Sequence, residues 1–318
     1  MNAIVPPQSA IGIDFGGTSV RVGLVIDGKI IDKRPPLDTQ SFAGSPPLIN
    51  AMVREAEALR EAHPESPVGA LGIGMPGFVD HASGIVHSLT NVRGWKEVAL
   101  RQIFEERTGM PSAIENDAKS MAYAEWRHGA AVGKRNVVCV TLGTGVGGGL
   151  ILEGSLYRGS AFGAGEIGQT SIAADGLPGN YGNLGALEKY VGNEQIVERA
   201  AEMYAASLQG SPAGELTPLS LQQAAARGDP VAIALWQEIG AHIGFALSNI
   251  VWLLNPDAIV IGGGVAKAGE WIFGPVRAEI KSRCSPVFWE RLEILPAKLG
   301  SDAGLIGAAT LALDTARR

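Results

Sequence analysis

Apolar residues follow two different periods along this chain, and their alternation predicts an α/β fold. Short apolar runs bounded by turn residues predict strands near residues 10–15, 20–26, 68–73, 112–115 and 258–261, and a hairpin over 137–157. Apolar residues at helical spacing predict helices near residues 48–62, 96–107, 118–128, 187–207, 219–227, 231–254, 270–283 and 302–315. Residues 159–186 are rich in glycine with little periodicity, so we expect a long functional loop there.

One strand pattern occurs twice: an apolar strand ends at a turn rich in Gly and Thr, and a second strand follows. The first copy contains residues 11–18 and the second contains residues 138–145. Glycine lets backbone N–H groups approach an anion closely, and hydroxyl groups add further donors. The two copies therefore predict a nucleotide clamp formed by two related domains.

Length and charge narrow the possible classes of protein. The 318 residues are enough for two domains, and the 43 glycines cluster beside apolar runs, which indicates turns rather than disorder. The net charge of −6 provides no basic field for nucleic acid or an anionic membrane, so a bound nucleotide needs local donors and a metal ion. The two cysteines, Cys139 and Cys284, favour a reduced cytoplasmic setting without disulfides. Residues 239–256 are apolar but include polar side chains, so we predict a buried helix there.

Residues 143–148 match GxGxxG, the fingerprint of dinucleotide-binding folds. That fingerprint must open a helix, whereas residues 149–154 continue as a strand and a turn. No GxxxxGK[ST] sequence occurs, which excludes a P-loop protein. A single Gly-rich hairpin is compatible with a purely structural turn, but two matched copies and a third glycine cluster at 262–264 favour phosphate binding.

Five motifs then stand in the order typical of the ROK family. They are IGIDFGGT at 11–18, END at 115–117, LGTGVGGG at 142–149, GEIG at 165–168 and IGGGV at 261–265. The chain resembles this family of sugar kinases and related repressors over about residues 10–312. The resemblance implies an α/β, two-lobed actin-like or hexokinase-like ATPase fold, with ATP and sugar in a central cleft. We expect a small lobe from 1–117 and 303–318, and a large lobe from 118–302.

The resemblance also implies which residues bind ATP and Mg²⁺. Asp14 would organise Mg²⁺ and the phosphates, although an aspartate here is also a common turn cap. Backbone and hydroxyl donors to the terminal phosphates would come from Gly16, Gly17, Thr18, Gly143, Thr144 and Gly145. The adenosine side would contact Gly262, Gly263 and Gly264, which also fit a strand-to-helix turn.

For the sugar site, the resemblance implies that Asp117 is the catalytic base. A sugar hydroxyl is a poor nucleophile, and a carboxylate within hydrogen-bond reach accepts its proton. Asn116 would orient the sugar, although the Asn116-Asp117 pair also fits a helix cap. Glu188 equally fits a helix start, where it would complement the helix dipole. The remaining implied sugar contacts are Asn91, Glu166, Gln169, Glu188, Gly74 and Gly77.

The chain departs from the family pattern where most members bind a structural zinc ion. Gln169 stands at the position of the family's histidine, and Gly179, Tyr181 and Ala186 stand at the three cysteine positions. Because zinc needs about four nitrogen or sulfur ligands, we predict that no zinc is bound here. We expect packing to stabilise this loop instead, with Tyr181 as a candidate to fill the space, and we expect the loop at 165–188 to be ordered mainly by sugar and the neighbouring lobe.

These observations predict an ATP-dependent kinase that phosphorylates the primary hydroxyl of a hexose, with glucose as the first choice. N-acetylmannosamine, N-acetylglucosamine and fructose remain alternative substrates. A sugar-responsive repressor needs a DNA-binding module, and only about ten residues precede Ile11, so we do not expect that class. A chaperone-like or actin-like ATPase would lack the sugar-binding residues. We expect a homodimer, as is common in the family.

Overall fold

The computed structural model of this chain describes residues 9–89, 92–207, 210 and 214–317. Its strands, in chain order, are β1 (Ser9–Phe15), β2 (Ser19–Ile26), β3 (Lys29–Lys33), β4 (Leu37–Asp38), β5 (Val68–Met75), β6 (Val79–Asp80), β7 (Ile85–Ser88), β8 (Lys96–Ala99), β9 (Ser112–Asn116), β10 (Val137–Leu142), β11 (Val146–Leu152), β12 (Ser155–Tyr157), β13 (Ala258–Gly262) and β14 (Glu293–Pro296). Its α-helices are α1 (Ser45–Ala62), α2 (Leu100–Thr108), α3 (Asp117–His128), α4 (Glu188–Val191), α5 (Asn193–Ala206), α6 (Pro218–Ala226), α7 (Pro230–Leu254), α8 (Glu270–Arg283), α9 (Pro286–Trp289) and α10 (Ala303–Ala316). Strands and helices alternate, as the apolar spacing predicts.

The chain divides into two compact units, each built from separate stretches of sequence. The first unit contains Met1–Gly133, Leu156–Ala164 and Ser301–Arg318, and the second contains Lys134–Ser155 and Gly165–Gly300. This division differs from the predicted lobes, because residues 118–133, residues 156–164 and the start of the last segment belong to the first unit. Helix α3 packs on α10 and β5, which places it there.

The first unit is built on a mixed sheet in the order β3-β2-β1-β5-β9, with β4 paired to β2. Strands β1 and β2 are antiparallel, whereas β5 runs parallel to both β1 and β9. Helix α10 lies directly on β1 and β5, since a Cβ on Gly72 would be 1.8 Å from the carbonyl oxygen of Ala308. A smaller antiparallel sheet joins β6, β7 and β8.

The second unit repeats the central part of this topology. Its sheet has the order β12-β11-β10-β13-β14, with β10 antiparallel to β11 and parallel to β13. The hairpin and neighbouring parallel strand therefore match β1, β2 and β5 of the first unit, which confirms the internal repeat predicted from the two Gly/Thr-rich turns. Apolar side chains of α7, α8 and the sheet form the core of the second unit.

Helix α7 is long and apolar enough to cross a membrane by length and composition alone, and 56% of its most apolar window is buried in the protein. Gly240 and Gly244 lie against Pro275 and Val276 of α8, so the two helices pack closely. Helix α7 is thus a core helix of the second unit, as the polar residues within it predict.

Local differences from the predicted elements have simple physical causes. The helix predicted at 96–107 begins later, because residues 96–99 form β8 at the edge of the small sheet. The helix predicted at 187–207 is divided into α4 and α5 at Gly192, whose backbone is extended. The next backbone N–H, that of Asn193, donates to the carbonyl of Gly143, and this contact outside the helix accompanies the break.

Candidate active site

Asp14 lies in β1 at the entrance to the first Gly-rich turn and is almost completely buried. Its carboxylate forms an ion pair with Arg21, its register partner on β2. A Cβ on Gly304, in the first turn of α10, would be 2.5 Å from Asp14 Oδ1. Burial raises the pKa of Asp14, and the charge of Arg21 opposes this rise. The carboxylate is therefore held between a guanidinium group and the N-terminal turn of a helix.

The turn that follows Asp14 has an exposed tip and a well-anchored base. Gly17 and Thr18 are exposed, and the N–H of Gly16 donates to the carbonyl of Ser19 at 2.8 Å. Thr39 fixes the turn by donating its N–H to Thr18 O (3.0 Å) and its hydroxyl to Gly17 O (3.3 Å). This arrangement presents backbone groups to solvent from a fixed position, as an anion site requires.

Asn116 and Asp117 lie where β9 ends and α3 begins. Asn116 is the N-cap of α3, since its Oδ1 accepts the backbone N–H of Lys119 at 3.1 Å. Its Nδ2 donates to the carbonyl of Gly77 at 3.2 Å. Asp117 is half-buried, and its Oδ1 accepts the N–H of Ala118 at 2.8 Å. The capping alternative is thus realised by Asn116, which still has one N–H and one lone pair for a ligand.

The turn at residues 74–77 adjoins the same pair of residues. Gly74 pairs with Glu115 in the sheet, and its Cβ position is 3.7 Å from the Cα of Asp117. The structure therefore brings Gly74, Gly77, Asn116 and Asp117 together, as expected for one sugar-binding region. Asn91 lies outside the described residues.

The second Gly-rich turn is held from within the second unit. Gly143 N donates to the carbonyl of Gly145 at 3.0 Å, and Thr144 is exposed at the tip. Glu188 supports the turn from α4, because its Oε2 accepts the N–H of Val146 at 2.9 Å. A Cβ on Gly145 would be 2.5 Å from that oxygen, so only glycine leaves room for the carboxylate.

Glu188 also connects this turn to the loop at 165–188. Its Oε1 accepts Nδ2 of Asn180 at 2.8 Å and Nε2 of Gln169 at 3.4 Å. Glu166 directly precedes the short 3₁₀ helix that carries Gln169, and its backbone carbonyl accepts the N–H of Gln169 at 3.1 Å. The structure thus brings Glu166, Gln169 and Glu188 into one neighbourhood, and both oxygens of Glu188 are in use.

The loop is not held by packing of Tyr181, which is 68% exposed, so this prediction is wrong. Short β-bridges join Ser171 to Ala186 and Pro178 to Leu184, and Asn183 donates its side-chain amide to the carbonyl of Gln169 at 2.8 Å. Side-chain amides take this role because they bond both to backbone groups and to a carboxylate. Among the described residues, no group of three or more His, Cys, Asp or Glu is arranged to hold a metal ion.

The third glycine cluster, Gly262 to Gly264, leads from β13 into a 3₁₀ turn. Gly263 has a left-handed backbone with φ of 89°, and a Cβ there would be 2.0 Å from the carbonyl oxygen of Leu142. Leu142 immediately precedes the second Gly-rich turn. The strand-to-helix turn proposed as an alternative is therefore present, and it lies against the base of that Gly-rich turn.

Several side chains that organise these groups of residues are not among those predicted from the sequence. Arg21 could have been found from the hairpin register, since it lies directly opposite Asp14. Asn180 and Asn183 lie in a loop without periodicity, so no sequence pattern marks their contacts with Glu188 and Gln169. Arg158 pairs with Glu115 across 43 positions of sequence, and no local signal indicates that contact.

Two hairpins of this topology, each beside a parallel strand, define an α/β protein with the actin-like ATPase fold. The ROK family matches residues 10–315, and the chain belongs to this family. A glucokinase of Streptomyces coelicolor is 33% identical over 96% of this chain and 97% of its own length. A glucokinase of Halalkalibacterium halodurans is 34% identical over 95% of this chain and 94% of its own length. The solved ROK family glucokinase of Streptomyces griseus, in complex with glucose and AMPPNP, is 31% identical with a TM-score of 0.78, covering 96% of this chain and 99% of that one.

Proposed function

We propose that this protein is a glucokinase, which transfers the terminal phosphoryl group of ATP to the primary hydroxyl of glucose. The observation that carries the proposal is the pairing of full-length similarity to glucokinases with an Asn116-Asp117 pair held at the start of α3. In this proposal Asp117 accepts the proton of the attacking hydroxyl. Phosphoryl transfer depends mostly on positioning and charge stabilisation, so a fixed carboxylate is the main requirement on the sugar side.

Asn116 would orient the sugar with the donor and acceptor capacity that its capping bonds leave unused. Its bond to Gly77 fixes the turn that carries Gly74 and Gly77, so both glycines can present backbone groups at a defined place. From the second unit, we propose that Glu166, Gln169 and Glu188 contribute sugar contacts. We retain Asn91 as a proposed sugar contact from its sequence position alone.

The two Gly-rich turns would supply donors to the phosphates through Gly16, Gly17, Thr18, Gly143, Thr144 and Gly145. Gly264 has open space around its Cα, which suits the proposed adenosine contact of residues 262–264. Mg²⁺ is usually held by one or two carboxylates together with phosphate oxygens and water. Asp14 fits this requirement, and the charge of Asp302 lies near enough to raise the pKa of Asp14 further. When bound, Mg²⁺ would neutralise phosphate charge.

We further propose a homodimer in the cytoplasm, with two buried, reduced cysteines. The chain would require no structural zinc, because side chains of the same loop, those of Gln169, Asn180, Asn183 and Glu188, bond to one another or to nearby backbone. Metal analysis of protein purified without chelator should then find less than one zinc ion per chain.

The test is a coupled assay of ADP release with ATP and a panel of hexoses, read as kcat/KM for each sugar. We expect glucose to exceed N-acetylmannosamine, N-acetylglucosamine and fructose. Asp117→Asn should lower kcat at least about 100-fold, in line with general-base catalysis, while the fold is kept. Glu106→Gln, which changes an exposed carboxylate on α2, is the matched control. Near-normal kcat in Asp117→Asn would show that Asp117 is not the general base. A higher kcat/KM for another hexose would show that glucose is not the preferred substrate.

A further inference from the structure

A buried carboxylate that has no place in the proposed chemistry lies two residues before the proposed base. Glu115 is 1% exposed, and both of its carboxylate oxygens are bonded. Oε1 accepts the backbone N–H of Asn116 at 3.0 Å, and Oε2 accepts Nε of Arg158 at 2.6 Å. The carboxylate therefore links the end of the strand that carries Asn116 and Asp117 to a cation far away in sequence.

The bond to Asn116 acts on the backbone that carries the catalytic pair. Glu115 pairs with Gly74 in the sheet, and β9 ends one residue later at Asn116. Adjacent side chains on a strand point to opposite faces of the sheet. Glu115 therefore bonds to the backbone N–H of Asn116 from the face opposite to the Asn116 side chain. The orientation of the Asn116 peptide determines where α3 begins and hence where Asp117 stands.

Arg158 lies in residues 156–164, a short segment that belongs to the first unit. The segment is folded on itself, because the N–H of Ala164 donates to the carbonyl of Arg158 at 2.9 Å and Gly159 has a left-handed backbone. The side chain of Arg158 is 23% exposed, so the ion pair is largely removed from water.

His81 also lies beside Glu115, but it does not provide a second positive charge. Its Nδ1 is 2.9 Å from the carbonyl of Ile114 and 3.5 Å from Oε2 of Glu115. Burial and the charge of Arg158 lower the pKa of His81. A neutral imidazole donates one hydrogen bond to β9 and leaves the charge of Glu115 to Arg158.

A buried ion pair is weak evidence for stability, because the desolvation of both charges offsets most of their attraction. In some proteins such a buried polar pair instead selects one conformation. We propose that Glu115 and Arg158 are positioning residues that hold Asn116 and Asp117 in the geometry for phosphoryl transfer. This inference rests on the proposed function, since it takes Asp117 as the base.

The experiment compares Glu115→Gln, Arg158→Gln, Arg158→Lys and the double variant Glu115→Gln/Arg158→Gln in the glucose-dependent ADP assay. The double variant leaves no uncompensated buried charge, so it is informative even if Arg158→Gln fails to fold. Arg34→Gln is the matched control, because Arg34 forms an ion pair of the same 2.6 Å length with Glu55 in the same unit. Circular dichroism and thermal melting establish that each variant is folded at the assay temperature.

We expect kcat of the double variant to fall by about 10- to 100-fold, the effect of a displacement near 1 Å, with the KM for glucose changed less than about threefold. Arg158→Lys should recover part of kcat because it restores the charge but not the planar donor. A folded double variant with normal kcat, a loss confined to KM, or an equal loss in Arg34→Gln would overturn the inference. Asp117→Asn separates the two proposals: if that variant keeps normal kcat, the proposed base fails, whereas an inactive Asp117→Asn beside normal double-variant kcat refutes only the positioning role.

Discussion

Glu188 offers a sharp test, because one side chain joins the second Gly-rich turn to the loop at 165–188. Replacing it by alanine removes the acceptor of the Val146 N–H, which is 2.9 Å away, and the acceptor of the Asn180 amide, 2.8 Å away. Val146 is 4% exposed, so water does not readily replace the lost acceptor. The turn and the loop should both open more often.

The size of the effect follows from these two bonds. A hydrogen bond to a charged group contributes about 1.5–3 kcal/mol, and a buried donor left without an acceptor costs about 1–3 kcal/mol. We take about 2 kcal/mol for local opening at Val146, which is roughly a thirtyfold increase in the open population. Glu188→Gln keeps one acceptor oxygen for Val146, and its opening should stay within about threefold of the unmodified protein.

Hydrogen exchange followed by mass spectrometry measures this opening directly in peptides that cover residues 142–152. Exchange there should rise roughly thirtyfold in Glu188→Ala if local opening controls it. Glu198→Ala, which removes an exposed carboxylate from α5, is the control. Unchanged protection of the turn in Glu188→Ala would refute the reasoning, as would an equal rise in Glu198→Ala.

Two further predictions concern the first unit. Gly72→Ala places a Cβ 1.8 Å from Ala308 O, and overpacking of this kind should lower the unfolding free energy by about 1–3 kcal/mol or more in urea denaturation. The control is Gly163→Ala, where an added Cβ would lie 4.0 Å from the carbonyl oxygen of Ala161, and it should change the unfolding free energy by less than about 0.5 kcal/mol. Burial and a hydrogen bond to a carboxylate of α10 raise the pKa of Tyr123 to about 12. The folded state therefore holds this proton more tightly than the unfolded state, so the associated stability is complete below about pH 10 and is lost as the pH rises to about 12. Between about pH 10 and pH 12 the unfolding free energy should fall by about 2–3 kcal/mol less in Tyr123→Phe than in the unmodified protein, and an identical pH slope in the two would contradict this prediction. Tyr157→Phe, which changes an exposed tyrosine, should keep the full decline.

The elements of the candidate site that could be predicted from sequence depend on local chemistry. Glycine adopts the backbone conformations that a tight turn requires, so the turns after Asp14 and Leu142 follow from the local sequences Gly-Gly-Thr at 16–18 and Gly-Thr-Gly at 143–145. The place of Asn116 and Asp117 at a helix start also follows locally, because Asn is a favoured N-cap.

Contacts between distant segments could not be predicted in this way. Tyr181 was expected to fill the loop, but side-chain amides hold it and the ring is exposed. The predicted lobe boundary at residue 117 places residues 118–133 in the large lobe. Their unit is decided instead by packing: a Cβ on Gly307 of α10 would be 1.8 Å from the carbonyl oxygen of Ser120, so α3 and α10 are in close contact.

By itself, the sequence determined the α/β class, the repeated hairpin and the order of the family motifs, since each of these depends on residues that are neighbours along the chain. Only the tertiary structure decided that Arg158 pairs with Glu115 and that Glu188 supports the second turn. The physical reason is that charge pairing and burial depend on distances in space. Residues 43 positions apart, such as Glu115 and Arg158, acquire those distances only when the chain has folded.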